Sequence, residues 1–237
     1  MVDIHKVYPD GTIALRGVDL ELREGEVLGL LGENGAGKTT LMKILSGLIR
    51  PTRGRIYVDG RAVRFRSPKD ALRYGIVMVH QTFALVPNLT ALENIVLGLE
   101  HPSGGLSAIK PIDYGALAKR VEELGARLGL RVPLDVAVEK LPLGYRQRVE
   151  ILKALYRGAR ILILDEPTTF LTPIEVGELF RFVENYRREG GTVIFITHKI
   201  REVLRVADRI VVLRRGLVVG EVEAGRATPE LLAELMV

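Results

Sequence analysis

The stretch Val27-Leu-Gly-Leu-Leu-Gly-Glu-Asn-Gly-Ala-Gly-Lys-Thr-Thr40 decides the fold. Val27–Leu31 is a short uncharged apolar run, the pattern of a strand covered on both faces. Gly32, Gly35 and Gly37 then punctuate the chain, and apolar residues return at helical spacing over Leu41–Leu48. Strand, glycine-rich loop and helix in that order let backbone N–H groups curl around a phosphate at the positive end of a helix. The loop to be tested is therefore Gly32, Glu33, Asn34, Gly35, Ala36, Gly37, Lys38, Thr39 and Thr40. Lys38 can reach the outer phosphate oxygens, and the Thr39 hydroxyl can ligate Mg²⁺.

Working outward, short apolar runs at Gly75–Val79, Ile161–Leu164 and Thr192–Ile196 alternate with amphipathic stretches. That alternation predicts an α/β fold with a mainly parallel sheet. Thr12–Leu22 and Arg55–Val63, set off by Pro9-Asp-Gly11 and Asp59-Gly60, read instead as strands of an antiparallel edge. Strand signal disappears between about residues 83 and 158. There Thr90 and Glu93 have capping-box spacing, Asp113 can cap a helix running to Leu128, and a basic helix is expected over Arg146–Arg157. The expected organisation is one domain over 1–237, with an α/β core at 1–82 and 159–237 and an inserted helical subdomain at 83–158. His101–Ser107 is the expected mobile loop. The chain stops at Val237 on an apolar helical pattern beginning at Thr228-Pro-Glu230, which suggests a piece of a longer polypeptide.

Composition narrows the function classes. Cysteine is absent, which removes disulfides, thiolate metal sites and thiol nucleophiles, and fits a reducing compartment. No leader pattern follows Met1, and no apolar run approaches the roughly 18 residues of a membrane span. The 34 basic and 29 acidic residues give a net charge of +5, which reads as arginine scattered along the chain. Such a surface suits nucleotide phosphates, acidic lipid or nucleic acid without selecting among them. With 5% aromatic residues and no tryptophan, a stacking platform for single-stranded nucleic acid is not expected.

Ile161-Leu-Ile-Leu-Asp-Glu166 is a buried strand ending in two carboxylates. Asp165 is placed to hold Mg²⁺, and Glu166 to polarise an attacking water. Gln81 and His198 each follow another strand, so both emerge at the carboxyl edge where ligands of open α/β sheets bind. His198 can hydrogen-bond a γ-phosphate, and Gln81 can touch Mg²⁺ or the water. In Lys140-Leu-Pro-Leu-Gly-Tyr-Arg-Gln-Arg-Val-Glu150, a turn with a bare glycine opens a helix, a second place where an anion would be favoured.

The ordered set of GENGAGKTT, Gln81, LPLGYRQ, ILILDEP and His198 resembles the nucleotide-binding subunit of an ABC transporter over nearly the whole chain. The resemblance implies ATP and Mg²⁺ as cofactors and head-to-tail pairing with a second nucleotide-binding domain. ATP would lie between one phosphate loop and the other subunit's signature turn, here Leu143 and Gly144. It also implies that Tyr8 stacks on adenine and that Thr169–Thr172 contacts the paired domain. The catalytic set would be Lys38, Gln81, Glu166 and His198, with Thr39, Gln81 and Asp165 around the metal. Gln81 and the helical subdomain would receive transmembrane permease subunits, placing the chain at the cytoplasmic face of the membrane. The wording around His80–Asn94, Glu150–Arg157 and Leu171–Pro173 is similar to the first half of nucleoside and simple-sugar importer ATPases. Specific nucleic-acid partners are not expected. The rival readings are a soluble ABC-type ATPase acting on nucleic acid or ribosomes, and a catalytically idle regulatory subunit.

The chain departs from that family at two positions. Pro142 stands where the signature has serine, and Tyr145 where it usually has glutamine. Proline offers neither hydroxyl nor N–H to a γ-phosphate, so the donated half-site is expected to be weak.

Overall fold

The computed structural model describes residues 1–99 and 112–237, so the expected loop at His101–Ser107 lies outside the described residues. The described strands are β1 (Val2–Val7), β2 (Ile13–Val18), β3 (Val27–Leu31), β4 (Arg53–Val58), β5 (Arg61–Val63), β6 (Ile76–Val79), β7 (Ile161–Asp165), β8 (Thr192–Thr197), β9 (Arg209–Arg214) and β10 (Leu217–Glu223). The helices are α1 (Lys38–Leu45), α2 (Pro68–Leu72), α3 (Ala91–Val96), α4 (Tyr114–Leu128), α5 (Leu143–Tyr156), α6 (Pro173–Arg188), α7 (Ile200–Val206) and α8 (Pro229–Met236).

Two sheets form, a four-stranded one in the order β2-β1-β4-β5 and a six-stranded one in the order β10-β9-β3-β8-β7-β6. The first is antiparallel. The second is parallel except at β10, which pairs antiparallel with β9. A mainly parallel α/β sheet with an antiparallel companion is the architecture the apolar runs predict. Three strands lie outside the runs singled out above, although one of them, β9, carries the buried apolar run Ile210–Leu213. β1 carries Asp3, His5 and Lys6 and so lacks an apolar run. β9 and β10 turn through Arg215-Gly216, both at positive φ (49° and 77°), the geometry of a tight hairpin without its usual asparagine.

The chain divides into two compact units, residues 1–81, 160–167 and 183–237 forming the first and residues 82–159 and 168–182 the second. In the first unit, Leu28 and Leu30 of β3 join Leu41, Met42, Ile44 and Leu45 of α1 and Ile4, Leu15 and Ile56 of the antiparallel sheet in one buried cluster. Leu31 belongs to another, with Val203 of α7, Ile210 and Val212 of β9, and Leu232 of α8. A parallel strand covered on both faces needs apolar residues at successive positions, and β3 has them.

An ion network crosses the same unit. Arg209 is only 1% exposed, yet its guanidinium donates to both oxygens of Glu26 (2.6 and 3.2 Å), to Glu221 (2.7 Å) and to the Glu21 carbonyl (2.8 Å). The forked guanidinium meets the buried Glu26 carboxylate with two parallel bonds, the arrangement that best offsets desolvation. Glu26 also accepts from the Arg23 N–H at 2.6 Å, so the acid ties β3's entry to β9.

In the second unit, Thr90 and Glu93 cap α3 reciprocally, with Thr90 N–H donating to Glu93 at 2.7 Å and Glu93 N–H to Thr90 at 3.2 Å. Asn94, fully buried, uses its amide to hold the preceding turn through Val86, Leu89 and Thr90. Asp113 caps α4 by accepting from Ala116 N–H at 2.9 Å, and Gly129 ends that helix at φ 76°. The basic helix α5 begins at Leu143, three residues earlier than its charge pattern suggests. Pro142 sets that start, because its fixed φ of −54° suits the residue before a first helical turn. Buried Glu150 holds Ala84 N–H and Lys153 the Ala84 carbonyl (2.9 Å), anchoring the segment ahead of α3 to α5. Burial pushes the Glu150 carboxyl up, partly offset by Lys153 and the bond from Ala84.

Candidate nucleotide site

Strand register explains how residues far apart in the chain meet at one sheet edge. Leu31 of β3 stands beside Thr197 of β8, Ile196 of β8 beside Asp165 of β7, and Leu164 of β7 beside Val79 of β6. One residue further on, the chain leaves these strands as Gly32, His198, Glu166 and His80, all on the carboxyl edge. This is the position at which open parallel sheets bind ligands.

The glycine loop enters α1 through Gly37, the residue before the first helical turn, held at φ 106°. Lys38 is 5% exposed and folds back over the loop, donating to the Gly32 carbonyl at 2.6 Å and the Glu33 carbonyl at 2.9 Å. Burial pulls its pKa down, while Glu166, Asp165 and Glu33 pull it up. The ammonium is thus fixed inside the loop rather than free to explore solvent. At Gly35 (φ 82°) a Cβ would meet nothing within 4 Å, so the loop is open on that side. An open loop of backbone donors with a centred ammonium fits a phosphate chain.

Asp165 closes the other side. It is 6% exposed and accepts from the Thr39 hydroxyl at 3.2 Å. Burial raises its pKa first of all, the Thr39 bond opposes this, and the Glu166 charge adds to the rise. A hydroxyl and a desolvated carboxylate this close suit a hard divalent cation, which takes oxygen ligands. Among the described residues no group of three or more acidic or histidine side chains converges on a metal. Mg²⁺ held here would take Thr39 and Asp165 from the chain and the rest of its shell from phosphate and water.

Glu166 sits at φ 46°, a left-handed conformation unusual for a residue with a side chain. Its N–H still bonds the Ile196 carbonyl at 3.0 Å, so the ladder of β8 holds the twist in place. His198 Nδ1–H donates to Glu166 Oε1 at 3.0 Å. A carboxylate oxygen accepts, so in this bond a ring proton sits on Nδ1 and Nε2 is left for another partner. Backbone strain of this kind costs about 1–3 kcal/mol and collects at functional positions. The sequence gives no sign of that φ.

Tyr8 also reaches the loop. Its hydroxyl lies 3.2 Å from the Thr40 hydroxyl, and the Lys6 ammonium sits 5.3 Å from its ring centroid. Gln81 is exposed, two residues past β6, and its side chain bonds none of the described residues. The side chain nearer the centre from that strand is His80, half-buried, with its pKa pulled down by burial and drawn up by Asp165. Sequence reasoning passed over His80, although its place directly after an apolar run was the available signal.

Leu143 and Gly144 belong to the second unit and open α5 there. Pro142 precedes them without a side-chain cap, its carbonyl accepting from Tyr145 (3.0 Å) and Arg146 (3.1 Å). The exposed Tyr145 ring lies under the Arg148 guanidinium, 5.0 Å away. The carboxylate of Glu175, in α6, lies where a Cβ on Gly144 would be. Glu175 cannot easily swing away, because its other oxygen accepts from both the N–H and the hydroxyl of Thr172 at 2.8 Å. Gly144→Ala is therefore expected to cost about 1–3 kcal/mol of stability, as overpacking does. Chemical unfolding of Gly144→Ala alone and with Glu175→Ala checks this: the second change should recover most of the loss.

This fold and loop define a P-loop nucleotide-binding domain. The family model described as ABC transporter matches residues 15–169, and the chain belongs to that family. It is 48% identical over 237 residues to a nucleoside import ATP-binding protein of Lactococcus lactis, covering 100% of this chain and 46% of that protein. To a ribose import ATP-binding protein of Rubrobacter xylanophilus it is 48% identical over 232 residues, covering 98% and 45%. The chain thus spans about half the length of the curated relatives it matches. Among solved structures, an ATP-binding cassette of an ABC transporter in its ADP conformation superposes with TM-score 0.83 at 26% identity, over 99% of this chain and 96% of that one. A dimeric cassette bound to ADP and Pi in a post-hydrolysis state gives TM-score 0.79 at 28% identity, over 96% and 98%.

Proposed function

We propose that the chain is an ATP-hydrolysing cassette of an importer for nucleosides or simple sugars, one of two such domains in a longer polypeptide. The observation that carries this is the meeting of Lys38, the Thr39–Asp165 pair and the Glu166–His198 pair at one sheet edge. Tyr8 would lie on the base, and Gly32, Glu33, Asn34, Gly35, Ala36, Gly37 and Thr40 around the phosphates. Glu166 would accept the proton of an attacking water, and His198, fixed by its Nδ1 bond, would hold the γ-phosphate and water in line through Nε2. Mg²⁺, when bound, would neutralise phosphate charge and orient the leaving oxygen. Thr39 and Asp165 would hold it, with Gln81 reaching it once the nucleotide is present.

Leu143 and Gly144 would face the nucleotide of a second cassette in a head-to-tail pair. Pro142 weakens that donated half-site, so the two composite sites would hydrolyse at unequal rates. Closure on ATP and reopening after hydrolysis is a population shift that a permease held at the membrane can follow. No helix among the described residues is long and apolar enough to cross a membrane; in this reading the permease supplies the membrane-spanning part.

Reconstitution tests the proposal. The polypeptide containing this chain, placed in vesicles with the permease encoded beside it, should import a ribonucleoside or pentose only when ATP and Mg²⁺ are supplied. Hydrolysis indifferent to the permease, but stimulated by RNA or ribosomes, would overturn import in favour of a soluble ATPase. A permease complex that transports yet keeps full activity with Lys38→Met would overturn the site.

A further inference from the structure

The net charge of +5, which reads as scattered, is in fact local. Residues 50–73 hold eight basic side chains, Arg50, Arg53, Arg55, Arg61, Arg64, Arg66, Lys69 and Arg73, against Asp59 and Asp70. The whole chain has 34 basic and 29 acidic residues, so everything outside this segment holds 26 and 27 and is close to neutral.

The antiparallel sheet sorts these charges by side. Along β4, Arg53, Arg55 and Tyr57 are exposed while Ile56 is buried, and Val58 packs against the core. After β5 the chain keeps the same alternation, with Arg64 and Arg66 exposed and Phe65 buried. Arg53 pairs in register with His5 of β1, and His5 with the exposed Arg16 of β2. Opposed residues in a sheet share a face, so Arg16 and Arg53 lie on the side of His5; Arg55, set off from Arg53 by a register shift between Val2 and His5, is exposed with Tyr57 on β4, and Arg64 and Arg66 are exposed just beyond β5. Arg16 and Arg53 flank His5 across β1, so at about 4.8 Å per strand their backbones stand about 10 Å apart. Asp3 pairs with Arg53 at 3.0 Å. Arg16, Arg55, Arg64 and Arg66 make no ion pair among the described residues.

Protection of a sheet edge does not account for this pattern. A few charges on the edge strand blunt an edge, whereas β4, which carries Arg53 and Arg55, is an inner strand of this sheet. Several exposed guanidinium groups gathered in one segment repel one another, and an anion-rich surface relieves that repulsion. A group of long guanidinium arms with one exposed tyrosine, Tyr57 (40% exposed), matches phosphate headgroups and an interfacial ring. Single-stranded nucleic acid would require several stacking faces, and among the described residues this side offers Tyr57 and the half-buried His5 ring, which is tied to Asp3.

We infer that the outer face of the β2-β1-β4-β5 sheet docks on anionic phospholipid headgroups. The contact requires no nucleotide and goes beyond the hydrolytic reading, which stands or falls separately. Each arginine near an anionic surface contributes about 1 kcal/mol, and the attraction fades with salt. The test is sedimentation of the full chain with vesicles of phosphatidylcholine alone, or of phosphatidylcholine with about 30 mol% phosphatidylglycerol, at rising ionic strength. Binding should appear only with phosphatidylglycerol and fall steeply with salt. The double variant Arg55→Gln, Arg64→Gln should weaken it about thirtyfold. Arg120→Gln, which removes an exposed charge from α4, should leave it within about twofold. All of these positions are exposed, and unchanged thermal unfolding of the variants confirms that the fold is intact. Equal binding to both vesicle types, or equal losses in the two variants, overturns the inference. So does a duplex or single-stranded oligonucleotide that displaces the chain from phosphatidylglycerol at equal phosphate concentration.

Discussion

Glu166→Gln should lower Mg²⁺-dependent ATP hydrolysis by about 10²–10⁴-fold while leaving nucleotide affinity within a few fold. The magnitude is that of removing a positioned general base. The amide is nearly isosteric and its carbonyl oxygen can still accept from His198 Nδ1, so the ring keeps its tautomer and place. Lys38 and the Thr39–Asp165 pair keep their hydrogen bonds, which is why binding should survive. Single-turnover hydrolysis and equilibrium binding of a fluorescent ATP analogue separate the two effects. A variant hydrolysing within about threefold of the parent would remove Glu166 from the mechanism. One that lost affinity as well would show that the carboxylate holds the loop rather than the water.

The largest expected stability effect lies away from the nucleotide. Arg209→Met should destabilise the chain by about 3–5 kcal/mol, because it leaves the 7%-exposed Glu26 carboxylate without its guanidinium. For a chain of this size that corresponds to a fall in unfolding temperature of roughly 6–20 °C. The double change Arg209→Met, Glu26→Leu removes both charges and should be much less costly than the single one, although Arg23 N–H then loses its acceptor. Calorimetry of both variants decides the matter. A single variant within about 1 kcal/mol of the parent would mean that water reaches Glu26 and the network is not sealed.

Legibility of the fold followed apolar density except at β9, whose buried run Ile210–Leu213 was as plain as the others and was passed over. β3, β7 and β8 are runs of buried aliphatic residues, and their two-sided burial is written in the sequence without interruption. β1 was not legible, because its Asp3, His5 and Lys6 obey a partner strand rather than a periodicity of their own. α5 was misplaced at its start because its charge pattern begins at Arg146, while its backbone is set by Pro142. At the nucleotide edge, the residues that motif spacing singles out are brought together by register: Lys38 over the loop, Thr39 on Asp165, and His198 on Glu166. What spacing could not show is conformational, namely the left-handed Glu166, the nearness of His80 to Asp165, and the carboxylate packed on Gly144. Each depends on contacts between segments more than 30 residues apart or on a single torsion. The charge on the antiparallel sheet was missed for a different reason: a net count over the whole chain conceals where its excess resides.

The contact between Gly144 and Glu175 also constrains how this chain can change over generations. Any side chain larger than hydrogen at position 144 collides with an acid already tethered by Thr172, so substitution there is penalised until position 175 has shortened. Within the fold alone, then, the order of change matters at this turn: a shorter residue at 175 has to come before any side chain at 144.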